Sequence, residues 1–160
     1  MAAFLVFLLL GVGALSLRAR RRSLRRMGYK RQPNGTFTRV IGEIRVEYRR
    51  HGRWIVRTGL YAASDFVAEP KSRRKQGDYA FECGVDALDA RFWFWSERPP
   101  FAKLLLGKPK VVEALRAFPD GVTITLHGDE LVVQDPRAFW ANHDRVVRLA
   151  KAIAAASRPV

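Results

Sequence analysis

The sequence predicts an α+β domain with a mainly antiparallel sheet, two short inserted helices and a C-terminal helix packed on the sheet, preceded by an N-terminal transmembrane helix. Three observations lead to this fold class. Short runs of alternating apolar and polar residues are separated by turn residues, the last segment has helical spacing, and the first is uncharged and apolar. The 160 residues suit one domain plus an appendage. The predicted boundaries are 1–17 for the anchor, 18–32 for a basic linker and 33–158 for the domain.

The first element is the run from Ala2 to Leu17, which has no charged side chain. As a helix it measures about 24 Å, enough to cross a hydrocarbon core of about 30 Å if the flanking arginines reach the surface. The charges follow the run, whereas a secretory signal has them in front. Because Lys and Arg beside a span stay in the cytoplasm, we expect a single-pass anchor in the inner membrane with the domain facing the cytoplasm. Cleavage near "GALSLRA", an interfacial helix and a buried core helix are the open alternatives.

A basic collar, residues 18–32, follows the apolar run. The formal net charge of the chain is +14, and the collar contains eight positive charges and no acid. Near a membrane surface, anionic lipid attracts each such residue by about 1 kcal/mol, so we expect a membrane with anionic lipids as the partner. Nucleic acid is the alternative, which is disfavoured beside an apolar span. The predicted lipid contacts are Arg18, Arg20, Arg21, Arg22, Arg25 and Arg26.

The segment "GEIRVEYRRHGRWIVRTG" predicts a hairpin, because apolar and charged residues alternate on both sides of a central Arg-His-Gly. A three-residue loop with Gly52 in the left-handed conformation pairs Tyr48 with Trp54 and Val46 with Val56. A second basic loop, "KSRRKQGD", is predicted to be solvated. The hairpin tip and this loop supply candidate contacts for an anion or a protein partner of unknown identity: Arg49, Arg50, Arg53, Lys71, Arg73, Arg74 and Lys75.

Three further strands are predicted at "DFVAEP", "YAFECGV" and "ARFWFWSE". The last is apolar on both faces, which favours a central strand covered on both sides; an exposed aromatic surface for a partner or lipid is the alternative. Two short helices follow, "PPFAKLLLG" ending at Gly107 and "PKVVEALRAF" beginning at Pro109. In "GVTITLHGDELVVQD", a two-residue turn pairs Leu126 with Leu131 and directs one aliphatic face inward.

The last predicted helix begins with Asp135 as the N-cap and Pro136 in the first turn. Apolar residues then recur at helical spacing, and they predict the face that packs on the sheet. This face consists of Phe139, His143, Val146, Val147, Ala150, Ile153 and Ala154.

No catalytic, cofactor-binding or metal-binding signature is found. The three histidines lack metal spacing such as H-E-x-x-H, and there is no nucleophile or phosphate-loop motif. Asp86 and Asp89 are expected in a solvated loop, and Cys83 is expected to be a buried, inert thiol. The sequence therefore favours a non-enzymatic binding or scaffolding module at the cytoplasmic membrane surface, with no cofactor. An enzyme with a site assembled from dispersed acids and histidines is the alternative.

The order of the segments resembles that of uncharacterised bacterial membrane-anchored proteins with a single α+β domain. An N-terminal span and basic collar precede a sheet-rich domain with "FWFWSERPPFAKLLL" and a closing "VTITLHGDELVV" hairpin plus helix. About seven strands before a closing helix are also similar to the pleckstrin-homology plan, apart from the two inserted helices. In that plan a basic first hairpin binds phosphoinositide headgroups, and the resemblance implies this role for Arg49, Arg50 and Arg53.

Overall fold

A computed structural model describes residues 19, 21–49, 51–57, 65–72, 80–135, 137 and 142–157. Helices and strands alternate irregularly along these residues, as expected for an α+β chain. In chain order they are α1 (residues 21–26), β1 (Lys30–Arg31), β2 (Phe37–Ile41), β3 (Ile44–Arg49), β4 (Arg53–Arg57), β5 (Phe66–Pro70), β6 (Ala80–Phe81), α2 (Asp86–Asp89), β7 (Phe92–Trp95), α3 (Pro99–Leu106), α4 (Pro109–Arg116), β8 (Thr123–His127), β9 (Glu130–Gln134) and α5 (His143–Ser157).

The strands form one sheet in the order β1-β2-β3-β4-β9-β8-β5-β7-β6, and neighbouring strands are antiparallel throughout. One face of this sheet carries the helices: α5 packs on β3 and β4, and α4 packs on α5. The predicted mainly antiparallel sheet with several helices is confirmed. The described residues form nine strands in a single sheet, which differs from the pleckstrin-homology plan of about seven.

Both predicted hairpins have the expected register. In the β3–β4 hairpin Tyr48 pairs with Trp54 and Val46 with Val56, and Gly52 has a φ of 73°. In the β8–β9 hairpin Leu126 pairs with Leu131 across a two-residue turn. Alternation fixes these pairings, because a shift by one residue would direct the aliphatic face into solvent.

The predicted strand "YAFECGV" is shorter in the structure: among its described residues Ala80–Phe81 pairs in the sheet, whereas residues 82–85 do not. The Asp89 carboxylate accepts hydrogen bonds from the backbone N–H groups of Cys83 (2.8 Å) and Gly84 (2.9 Å). These bonds turn the chain into α2, so Asp86 and Asp89 belong to a short helix and not to a solvated loop. Cys83 is buried, as predicted.

The "ARFWFWSE" prediction gives strand β7, which pairs with β5 on one side and β6 on the other. Phe92 and Phe94 are buried, whereas Trp93 and Trp95 on the opposite face are half-buried. Both short helices are also confirmed, since α3 ends before Gly107 and α4 begins at Pro109.

The start of the last helix was predicted wrongly. Among the described residues α5 begins at His143, and the Asp135 carboxylate instead accepts hydrogen bonds from the Arg137 backbone N–H (2.8 Å) and the Asn142 side-chain amide (2.7 Å). Pro136 and Phe139 lie outside the described residues.

The buried face of α5 also differs from the predicted one. It includes Leu149 and Ala152, whereas Val147 and Ala154 are only half-buried. The predicted residues His143, Val146, Ala150 and Ile153 are buried. The buried face of α5 is therefore rotated toward Leu149 relative to the predicted face, because α4 as well as the sheet packs on this helix.

The end of the basic collar is part of the folded core. Leu24 and Tyr29 are buried, and α1 ends in a Schellman motif at Gly28, whose φ is 81°. In this motif the Tyr29 N–H donates to the Leu24 carbonyl (3.0 Å) and the Gly28 N–H to the Arg25 carbonyl (2.9 Å). The predicted linker, residues 18–32, thus contains residues that pack on the domain.

The predicted membrane anchor, Ala2 to Leu17, lies outside the described residues. Within the described ranges, no helix is long and apolar enough to span a bilayer.

Candidate functional site

Helix α1 presents four arginines on one side. Arg21, Arg22, Arg25 and Arg26 are exposed, while Leu24 on the other side is fully buried. Spacings of three and four residues put Arg21 beside Arg25 and Arg22 beside Arg26. These four residues form the cationic face of α1. Of the other predicted lipid contacts, Arg18 and Arg20 lie outside the described residues.

Next to α1, a cleft of about 430 Å³ opens at the edge of the sheet. It lies where the two-residue strand β1 pairs with Phe37 and Thr38 but stops short of the end of β2. Three cationic side chains line this edge cleft and no carboxylate does so among the described residues. Its lining consists of Gly28, Lys30, Thr38, Arg39, Val40 and Arg45.

Arg39 is not among the candidate site residues that the sequence pattern predicted. It lies between Phe37 and Ile41 in β2 and pairs with Val46, a position on the face that carries the core. Its guanidinium donates a hydrogen bond to the Met27 carbonyl and contacts the turn at Gly28. The sequence did contain an indication of this residue, because a charged side chain on the inward face of a strand requires a hydrogen-bond partner in the folded protein.

The remaining cations differ in whether an acid neutralises them. Arg57 donates two hydrogen bonds to one Glu130 oxygen, at 3.1 Å and 3.3 Å. Arg45 lies directly opposite Arg57 in the sheet. Among the described residues neither Arg45 nor Lys30 has an ion pair, so the edge cleft retains its positive charge.

The other predicted contacts do not join this site. Arg49 binds Glu47 at 2.8 Å, Arg53 is exposed at the hairpin tip, and the Lys71 ammonium lies 4.4 Å from the centre of the Trp93 ring. Arg49 is four residues along β3 from Arg45, or about 13 Å. The positions of Arg50, Arg73, Arg74 and Lys75 lie outside the described residues.

A second cleft, of about 570 Å³, lies on β8, β5 and β7. Val67, Thr125 and Trp95 are neighbours across these strands on one face. The ends of the strands contribute acidic and imidazole groups, and Asp65 pairs with Arg98 at 3.9 Å. Strand β5 is five strand spacings, or about 24 Å, from β2. The acidic residues of this cleft, Asp65 and Glu97, are therefore too far away to neutralise the edge cleft.

The titratable groups of the core serve packing. The His143 ring contacts Tyr29 (centroid distance 5.5 Å) and Trp54 (5.7 Å), and its Nδ1 lies 2.9 Å from the Asp144 carboxylate. Burial raises the pKa of Tyr29 well above its ordinary value, and burial likewise raises the pKa of Cys83 to about 11. Within the described part of the chain, no group of three or more metal-ligating side chains comes together.

The sequence matches no protein-family model and no curated protein. In a comparison with solved structures, the chain is similar to the crystal structure of the mycobacterial trehalose monomycolate transport factor A, TtfA, with a TM-score of 0.64. The match covers 89% of this chain and 96% of that chain at 11% sequence identity. At this identity the likeness shows a common fold.

Proposed function

We propose that this chain is a non-enzymatic binding module that is anchored in the inner membrane by Ala2 to Leu17 and docks its cationic face of α1 on anionic lipid of the cytoplasmic surface. One observation carries the proposal: the four arginines share an exposed side of a helix that Leu24 fastens to the core. The folded domain and the collar then approach the membrane as one body. The similar fold of TtfA, a transport factor, is compatible with a membrane-associated role.

The expected strength of docking follows from the charge. At about 1 kcal/mol for each basic residue near an anionic surface, the four arginines contribute about 4 kcal/mol, or roughly a thousandfold in the docking equilibrium. This attraction is screened when the Debye length falls from about 10 Å at about 0.1 M salt to about 3 Å at about 1 M. The inserted anchor is insensitive to the same change, because hydrophobic insertion does not depend on charge.

Energy transfer from the tryptophans to a dansyl-labelled lipid headgroup measures how closely the domain approaches the bilayer. The full chain is reconstituted in phosphatidylcholine vesicles, and in vesicles with a third of the lipid replaced by phosphatidylglycerol. We expect greater transfer with phosphatidylglycerol, and we expect high salt to abolish this difference while the protein stays on the vesicles. Release of the protein by high salt would contradict the anchor.

The control separates the cationic face of α1 from net charge. One variant carries Gln at Arg21, Arg22, Arg25 and Arg26. The matched variant loses four exposed charges on the helical side of the domain, with Gln at Lys108, Lys110, Arg116 and Lys151. We expect only the α1 variant to lose the response to phosphatidylglycerol. Equal loss in both variants, or no loss in the α1 variant, would show that this face does not dock the domain.

A further inference from the structure

We infer that the edge cleft is a binding site for a phosphate group. Where the phosphate belongs to a lipid headgroup, the inference rests on the proposed function and adds a discrete site to the diffuse attraction of α1. The two sources with this chemistry are a lipid phosphate monoester at the membrane surface and free inorganic phosphate.

Sheet register brings the donors of the cleft together. Lys30 pairs directly with Thr38 in β2, and Arg45 pairs directly with Val40, two residues further along the same strand. Side chains two residues apart lie on the same face, about 7 Å along the strand. The ammonium of Lys30 and the guanidinium of Arg45 thus border one depression on opposite corners.

The Thr38 hydroxyl lies between these two cations. Its oxygen accepts a hydrogen bond from the Gln32 side-chain amide at 2.7 Å. A hydroxyl has a single proton to donate, and this proton is directed away from the amide that donates to it. Thr38 also pairs directly with Glu47, whose carboxylate is engaged by Arg49, and its hydroxyl can donate to an anion held by Lys30 and Arg45.

Arg39 adds positive charge from the other face of β2, because it pairs with the buried Val46 whereas Thr38 and Val40 point to the opposite face. Its guanidinium donates to the Met27 carbonyl and lies against the turn at Gly28, where a Cβ atom would be 3.5 Å from the Arg39 Nε. Gly28 has a φ of 81°, which disfavours a side chain there. The direct donors to a phosphate are therefore Lys30, Thr38 and Arg45, and Arg39 contributes to the positive potential of the cleft.

The charges around the cleft are unbalanced in a way that a bound anion corrects. The nearby carboxylates are engaged, since Glu47 binds Arg49, Glu130 binds Arg57 and Glu43 also has an interaction partner. Arg45 faces Arg57 directly across the sheet, but Arg57 is paired with Glu130, so among the described residues the charge of Arg45 is the one of the two left without an acid. The guanidinium of Arg45 is therefore available for charge-assisted hydrogen bonds to a phosphate.

Isothermal titration of the full chain in a neutral detergent with inorganic phosphate tests the site. We expect saturable binding that Arg45→Gln weakens about tenfold, as for loss of one charge-assisted hydrogen bond. Arg53→Gln is the matched control, because Arg53 is also an exposed arginine of this sheet. It lies at one end of β4, whereas Arg45 is opposite Arg57 at the other end of that strand. We expect Arg53→Gln to bind like the wild type.

Thermal unfolding of the same variants without phosphate separates binding from folding. Arg45 is exposed and has no ion pair among the described residues, so Arg45→Gln should unfold at about the same temperature as the wild type. Weak phosphate binding together with unimpaired stability supports the site. A large fall in the unfolding temperature would mean that Arg45 is structural and would overturn the inference.

Vesicles distinguish the two sources of phosphate. If the site binds a lipid phosphate monoester, energy transfer should be greater with phosphatidic acid vesicles than with phosphatidylglycerol vesicles of equal surface charge. Arg45→Gln should remove this preference for phosphatidic acid. Binding of inorganic phosphate without the preference supports a site for free phosphate. If the chain neither binds inorganic phosphate nor prefers phosphatidic acid, the inference is overturned. The proposed docking through α1 still stands in that case if the α1 variant loses the response to phosphatidylglycerol.

Discussion

Replacing Leu24 with alanine tests whether the end of the collar is part of the domain. Leu24 is fully buried in the core cluster, and its carbonyl accepts the N–H of Tyr29 in the motif that ends α1. Truncating a fully buried leucine removes apolar contact and leaves a cavity, which costs about 3 kcal/mol. For a domain of this size, 1 kcal/mol corresponds to roughly 3 °C, so the unfolding temperature should fall by about 9 °C.

The measurement is a circular dichroism melt of the full chain in neutral detergent, with Arg25→Ala as the control. Arg25 occupies the same helix but is exposed, and alanine is a good helix former. We expect the control to change the free energy of unfolding by about 0.5 kcal/mol at most. Equal melting temperatures for Leu24→Ala and wild type would refute the packing of α1 on the domain.

Two further predictions concern α5 and Cys83. Val146→Asp buries an unpaired carboxylate and should lower the free energy of unfolding by several kcal/mol. The loss should be smaller for Val147→Asp, at a half-buried position, and smallest for Arg148→Asp, at an exposed one. Denaturant titrations that show a larger loss for Val147→Asp than for Val146→Asp would contradict the observed burial. Burial raises the pKa of Cys83 from 9.0 to about 11, so the folded chain keeps a proton that the unfolded chain releases. The stability that this proton confers is present below about pH 9 and is lost as the pH rises toward about 11. The Cys83→Ala variant should not show this loss. Thiol labelling at pH 8 that is as fast in the native chain as in the denatured chain would contradict the burial of Cys83.

The accuracy of the sequence predictions depended on how local the determining contacts are. The β3–β4 register follows from alternation around a three-residue loop that needs a left-handed glycine, and Gly52 has that conformation. The limits of α3 and α4 follow from prolines at their starts and the short turns at their ends. The start of α5 was missed because, among the described residues, the helix begins at His143, directly after Asn142, whose amide binds the Asp135 carboxylate seven residues back.

The candidate site was predictable only in part, for the same reason. The four exposed arginines of α1 were identified from composition, since charges at this density stay in contact with water. The edge cleft was not identified, because its donors come from β1, β2 and β3 and meet only through sheet register. Which arginines keep a free charge was also hidden: Arg57 is neutralised by Glu130, which is 73 residues distant in the chain.

The sequence by itself determined the hairpins, the short helices, the segregation of positive charge into the collar and the lack of a recognisable catalytic motif. Each of these depends on backbone preferences and side-chain spacing over a few residues. The tertiary structure alone decided that β5 lies beside β8, that Leu24 joins the core and that Lys30, Arg39 and Arg45 surround one cleft. Such contacts join segments far apart in sequence, and their selection depends on the packing of the whole core and not on local conformational preference.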